Sequence, residues 1–446
     1  MRVKALPLLI AMALVSNVPA KTGLNPEALA RRAVSPYPFE SGPAIAELRS
    51  LGPAGLERLF QVYGDQIIRL CAESSRERAS DPEWQRLTAA LDSVSQQRDS
   101  YASRLYWYTD FEQAKAAARA SRKPILSLRL LGNLTDEFSC ANSRFFRSIL
   151  YANTTVSAFL RENFVLHWKS VRPAPRVTID FGDGRKIERT LTGNSIHYVL
   201  DYDGRPVDAI PGLYGPAAFV RALDQALSAL HSIERGGSAR DASVVAYHQR
   251  AGELAWAHFK TDISQTGARL DPQSTFTDEA ATLNPPDAIQ AGRLAMLKSV
   301  VETKTLKSIS ELGKPLATPV AEDMIEWQKI AALHAGDARL DAASIALIKS
   351  QYTGADSGDA KLSIIVKNLE HFIAIDTVRN EYLMRSRLHQ WFVGGAGRHD
   401  VDTLNNRVYG LLFLTPSSDP WLGLLSPGIY TGIANDGIVG ASKSRQ

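Results

Sequence analysis

At 446 residues the chain is too long for one small domain and is expected to hold two or three. Hydrophobic residues make up 45% and charged residues 22%, which excludes a disordered or fibrous protein. The net charge of +4 is spread along the chain without a clustered basic stripe, so no nucleic-acid partner is expected, and two cysteines exclude a dense disulfide framework.

The N-terminus has the layout of a secretory signal peptide. Arg2 and Lys4 precede an apolar run from Leu6 to Val15, broken only by Pro7, and Val18-Pro19-Ala20 leads into polar Lys21-Thr22. The apolar run is too short to span a bilayer, and no later segment reads as a membrane span. The expectation is a signal peptide over 1–20 and a periplasmic or secreted mature chain with no membrane insertion. That compartment is oxidising.

Residues 21–103 predict helices. Leu56, Leu59, Phe60, Tyr63, Ile67, Leu70 and Cys71 recur at spacings of three and four, which makes one apolar helix face. Asp81-Pro82 caps a second helix that carries Trp84, Leu87, Leu91 and Val94. The two are expected to form a hairpin.

The period then changes. Strands are expected at 105–108, 125–130, 164–168, 196–200 and 207–210, with helices at 111–120, 140–150 and 156–163 and one beginning at Gly215-Pro216. Two alternating stretches flank Gly182-Asp183-Gly184, which signals a hairpin. Arg235-Gly236-Gly237-Ser238 reads as a linker, and residues 240–446 as an α-helical domain. In that domain Thr318-Pro319 begins a helix containing Met324, Trp327 and Ile330. A long helix is expected over 359–391, with Leu362, Ile365, Val366, Leu369, Phe372 and Ile373 inward. Asn284-Pro285-Pro286 and Gly394–Gly397 are breaks, and the tail around Leu414-Thr415-Pro416 and Asp419-Pro420-Trp421 reads as extended backbone on the helical domain.

Several phrases over 104–232 carry a resemblance. They are Phe111–Lys123 before Pro124-Ile125-Leu126, then Val156–Val165, then Tyr198–Pro206 with Asp201-Tyr202-Asp203-Gly204, then Pro211–Gly215. This order resembles the thioredoxin-like superfamily over less than a third of the chain. The fold it implies is an α/β thioredoxin-like domain between an N-terminal helical hairpin and a mainly α-helical C-terminal domain. The resemblance places Cys140-Ala141-Asn142-Ser143 where the family carries its CxxC motif, so Ser143 stands for the second cysteine. Asn194-Ser195 stands where the family has a cis-proline.

Cys140 and Ser143 are therefore the candidate catalytic residues. A cysteine at a helix start is placed to favour thiolate, and Arg144 and Arg147 would add positive charge if they turn toward the sulfur. A thiolate there can form a mixed disulfide, but no second cysteine resolves it. The competing reading holds Cys140 as a packing residue, with Phe145 and Phe146 carrying the helix into the core. Cys71 reads as a buried small hydrophobe on its helix face, with a Cys71–Cys140 bridge as the sharper alternative.

No cofactor and no metal site is expected. His167 and His197 lie on neighbouring strands among apolar residues, and His248 and His258 are ten apart on one helix, far from each other. Asp376, Arg379, Asn380 and Glu381 form a polar cluster that can pair along its helix or reach the tail. The function expected is a protein-interaction scaffold with a protein partner, or else monothiol disulfide exchange or trapping through Cys140.

Overall fold

Local capping chemistry sets where the helices begin. Asn25 accepts from the Glu27 amide and opens α1 (Pro26–Ala33), with proline in its first turn. Prolines also open α2 (Pro38–Ser50) and α3 (Pro53–Ala72). After α4 (Ser75–Ser80), Asp81 accepts from the Glu83 amide and opens α5 (Pro82–Ser95), and the short α6 (Ser100–Ser103) follows. This computed structural model describes residues 25–73, 75–190, 193–235, 239–270, 319–351, 358–419, 421 and 433. The expected signal peptide, the Gly236–Ser238 linker, the Asn284-Pro285-Pro286 break and most of the last 27 residues lie outside them.

The chain then becomes mixed α/β. The elements are β1 (Trp107–Tyr108), α7 (Phe111–Ser121), β2 (Ile125–Leu131), α8 (Ala141–Phe145), a π-helical turn (Phe146–Leu150), α9 (Thr154–Asn163), β3 (Val165–Arg172), the hairpin β4 (Arg176–Asp180) and β5 (Lys186–Thr190), β6 (Ile196–Leu200) and β7 (Pro206–Pro211). The main sheet has the order β1-β3-β2-β6-β7. β1, β3 and β2 run parallel, and β6 and β7 are antiparallel to their neighbours. All seven residues of β2 are buried, as expected for a central strand covered on both faces. The β4–β5 hairpin makes a separate two-stranded sheet and is mostly exposed.

The remaining described elements are helical: α10 (Pro216–Arg235), α11 (Arg240–Thr266), α12 (Pro319–Leu333), α13 (Ala342–Gln351), α14 (Asp359–Arg379), α15 (Ser386–Val393) and α16 (Val401–Arg407). The helix expected over 359–391 is continuous in direction but changes winding, because a π-helical turn spans Asn380–Arg385 between α14 and α15. A similar turn follows α8 where one helix is expected over 140–150. Such turns insert one extra residue and re-aim the side chains around them. Among the described residues no helix is long and apolar enough to cross a membrane.

Two apolar cores result. One joins α1–α3 and α5 through Leu29, Leu48, Leu59, Leu87, Leu91 and Tyr106. The other runs without a break from the sheet into the C-terminal helices, through Leu128, Val199, Phe219, Phe259, Trp327 and Phe392. The joint between sheet and helices is close. A Cβ added to Gly215 would lie 2.2 Å from the Asp337 carbonyl oxygen, and the Gly215 amide donates to Thr377 Oγ1 at 2.8 Å. The Asn380 side-chain amide donates to the Leu213 carbonyl at 2.7 Å.

Candidate functional site

Cys140 sits immediately before α8, and its amide donates back to Leu131 at the end of β2 (3.1 Å). Its side chain is 0% exposed, and its sulfur lies 3.2 Å from Ser195 Oγ. Ser143 is turned away from the sulfur. Its hydroxyl lies 2.6 Å from Ser139 Oγ and 2.9 Å from the Cys140 carbonyl. Arg147 is committed to the preceding loop, donating to the carbonyls of Leu134 and Asp136, and burial lowers its pKa to about 10. Arg144 donates to Thr190 Oγ1 at 2.9 Å.

The segment Gly193–Ser195 covers the start of α8. A Cβ on Gly193 would meet the Ala141 amide nitrogen at 2.9 Å. The C-terminal region in turn covers this segment. Tyr409 Oη donates to the Asn194 carbonyl at 2.8 Å, and the Asn194 side-chain amide donates to the Phe413 carbonyl and to Thr415 Oγ1, both at 3.2 Å. Tyr409, Phe413 and Thr415 are themselves buried. The tail as far as Asp419 thus touches both parts: the Thr415 amide donates to the Tyr409 carbonyl at 2.8 Å, and Arg172 of the α/β part donates to the Asp419 carbonyl at 3.1 Å.

Cys71 corrects a second expectation. It is exposed, because the packed face of α3 ends one residue earlier at Leu70. Both cysteines are free, so no bridge joins them.

A second cluster lies where β7 meets the helices. Asp208, at the centre of β7, is fully buried, and Arg385 Nη2 donates to its Oδ2 at 2.8 Å. Tyr247 Oη donates to the same oxygen at 2.7 Å, and Arg385 also pairs with Glu381 at 3.2 Å. Tyr214 Oη donates to Glu381 at 3.1 Å. Beside them His248 Nδ1 and His389 Nδ1 are 2.7 Å apart, and Phe392 stacks on the His248 ring at 4.1 Å. Burial opposes ionisation of Asp208, but the Arg385 guanidinium, helped by the Tyr247 hydrogen bond, outweighs it and holds the carboxyl well below the ordinary carboxylate range. Burial, reinforced by Arg385, lowers His389 to about 3. Burial also lowers His248, against the pull of Asp208. The cluster therefore holds an ionised carboxylate beside two neutral imidazoles at neutral pH.

This cluster borders a cavity of about 780 Å³ between α10 and α11, whose lining includes Tyr214, Tyr247, Arg250, His258, Tyr382 and His389. A pocket with a few converging polar groups and shifted titrations has the general character of a ligand site.

The histidines singled out from sequence go to different places. His248 points inward to His389, while His258 lies on the cavity wall. His167 meets Ser127 Oγ at 2.8 Å, and His197 meets Tyr151 Oη at 2.7 Å. Of the polar cluster on the long helix, Asn380 and Glu381 reach Leu213 and Tyr214 beside β7. Sequence reasoning missed Asp208, Arg385 and His389, because Asp208 hides in a short apolar strand and Arg385 lies 177 residues away from it in the chain. The one available signal was a lone acidic residue inside a strand that otherwise reads as fully buried. No family model, curated protein or solved structure matches this chain.

Proposed function

We propose that the chain is an exported thioredoxin-like protein that works as a protein-interaction scaffold and not through thiol chemistry. The thioredoxin-like reading draws support from β2 leading into a helix that starts at Cys140, and from Ser195 standing against the sulfur just before β6. The scaffold reading rests on one observation: Cys140 is sealed. The Asn194-Ser195 segment lies over its sulfur, and Tyr409, Phe413 and Thr415 lie over that segment. Disulfide exchange needs an attacking sulfur that a partner disulfide can reach in line, and it needs thiolate. Ser143, bonded to Ser139 and the backbone, supplies neither.

The test uses Cys71→Ser, which leaves Cys140 as the only thiol. Iodoacetamide is expected to label Cys140 only after denaturation, and Cys140→Ala is expected to leave the set of cross-linked partner proteins unchanged. Rapid labelling of the native protein, together with loss of mixed-disulfide adducts in Cys140→Ala, would establish monothiol exchange instead.

A further inference from the structure

We propose that Asp208, His248 and His389 bind a divalent first-row transition metal at the edge of the cavity between α10 and α11. Their ligand atoms all lie within 4.8 Å of one another. They come from β7, α11 and α15, so the fold itself brings them together.

The hydrogen bonds determine the tautomers. His248 Nε2 is 2.9 Å from the Val207 carbonyl, which can only accept, so this nitrogen carries the proton and His248 Nδ1 is a lone pair. His389 Nδ1, 2.7 Å away, is then the donor in the metal-free protein. A backbone carbonyl behind the ring is the outer-shell partner that metal-bound imidazoles use, and the stacked Phe392 fixes the ring plane.

Metal entry puts a cation where the two imidazoles share a proton, and that proton moves to the far side of the His389 ring. Zinc–nitrogen bonds of about 2.0–2.1 Å in tetrahedral geometry separate the two nitrogens by roughly 3.3 Å, so each ring shifts by about 0.3 Å. The His389 proton leaves Nδ1 and a proton is taken up at Nε2. His389 lines the cavity, where water can carry that transfer, and no net proton is released. Arg385 and Tyr247 remain on Asp208 Oδ2 and the Ala209 amide remains on Oδ1 at 2.7 Å as outer-shell donors, so the metal takes a further lone pair of the carboxylate.

The charges point the same way. Asp208 and Glu381 share the guanidinium of Arg385, so two carboxylates meet one cation at this end of the cavity. Two nitrogens and one carboxylate suit zinc, cobalt or iron(II) and not magnesium or calcium, which take oxygen ligands. Three protein ligands leave a position for water or a cavity ligand.

The test takes the purified full chain, stripped with chelator and titrated with Zn²⁺ or Co²⁺ alone. One equivalent of zinc, a raised melting temperature and a visible cobalt ligand-field spectrum are expected. His248→Gln and His389→Gln should lose the metal. Tyr247→Phe should weaken it by roughly 10-fold or more, as loss of an outer-shell partner does. His258→Gln, on the cavity wall, should leave the stoichiometry and the cobalt spectrum unchanged. If a ligand variant fails to fold, Tyr247→Phe and the wild-type cobalt spectrum decide. A folded wild-type chain that retains no zinc after dialysis overturns the proposal, as does full binding by a folded His389→Gln protein.

Discussion

Replacing His197 with phenylalanine should remove a defined part of the pH dependence of folding. His197 is buried in β6, with ring centroids 4.7 Å from Phe146 and 4.9 Å from Phe219. Its Nε2 meets Tyr151 Oη at 2.7 Å, and its Nδ1 has no partner among the described residues. An imidazolium would need acceptors at both nitrogens, so burial pushes its pKa down to about 3. In the unfolded chain the value is about 6.5. Below that pH the unfolded state takes up a proton that the folded state does not. Stability is therefore fully present above about pH 6.5 and is lost at roughly 1.4 kcal/mol per pH unit as the pH falls toward the folded value. At pH 5 the loss from this residue is about 2 kcal/mol. Phenylalanine fills a similar volume and cannot titrate. At pH 7.5 it leaves the buried Tyr151 hydroxyl without this partner, which costs about 1–3 kcal/mol. The other buried histidines, His167 and His389 among them, titrate in both proteins and cancel. Urea unfolding at pH 7.5 and pH 5 should thus show the stability difference moving by about 2 kcal/mol in favour of His197→Phe at the lower pH. Parallel pH profiles for the two proteins would refute the argument.

The Asp208–Arg385 pair should behave as a coupled unit. Arg385→Met or Asp208→Asn alone should cost about 3–5 kcal/mol, because each leaves a buried group uncompensated, while the double variant should cost less than the sum. Urea unfolding at pH 7 with chelator present measures this, and strict additivity would contradict it. Because Arg385 holds the Asp208 carboxyl low, the stabilisation it supplies should be intact above about pH 4 and decline as the pH falls below that. Gly215→Ala should destabilise by about 1–3 kcal/mol, since its Cβ would collide with the Asp337 backbone. Gly64→Ala, inside α3 where the added Cβ meets no described residue beyond its own helix backbone within 4 Å, should stabilise by about 0.5–1 kcal/mol, and thermal unfolding of the pair separates the two effects.

Much of the element order was legible in the sequence. The apolar spacing from Leu56 to Leu70, the Asp81-Pro82 start, the β2 run and the Gly182-Asp183-Gly184 turn each act over a few residues, and each appears in the structure close to where it reads. Cys140 before a helix start was equally local. Its surroundings were not. The seal over its sulfur comes from Ser195, Tyr409 and Thr415, which only the packed chain brings near.

Local periodicity and capping therefore determined by themselves that the chain is mixed α/β with flanking helices, because backbone sterics and side-chain spacing act between near neighbours. Tertiary structure alone decided the fate of the polar groups. Asp208 ionises beside Arg385, and His248 meets His389 across 141 residues, because burial removes water and leaves each group to find its partner wherever the fold supplies one.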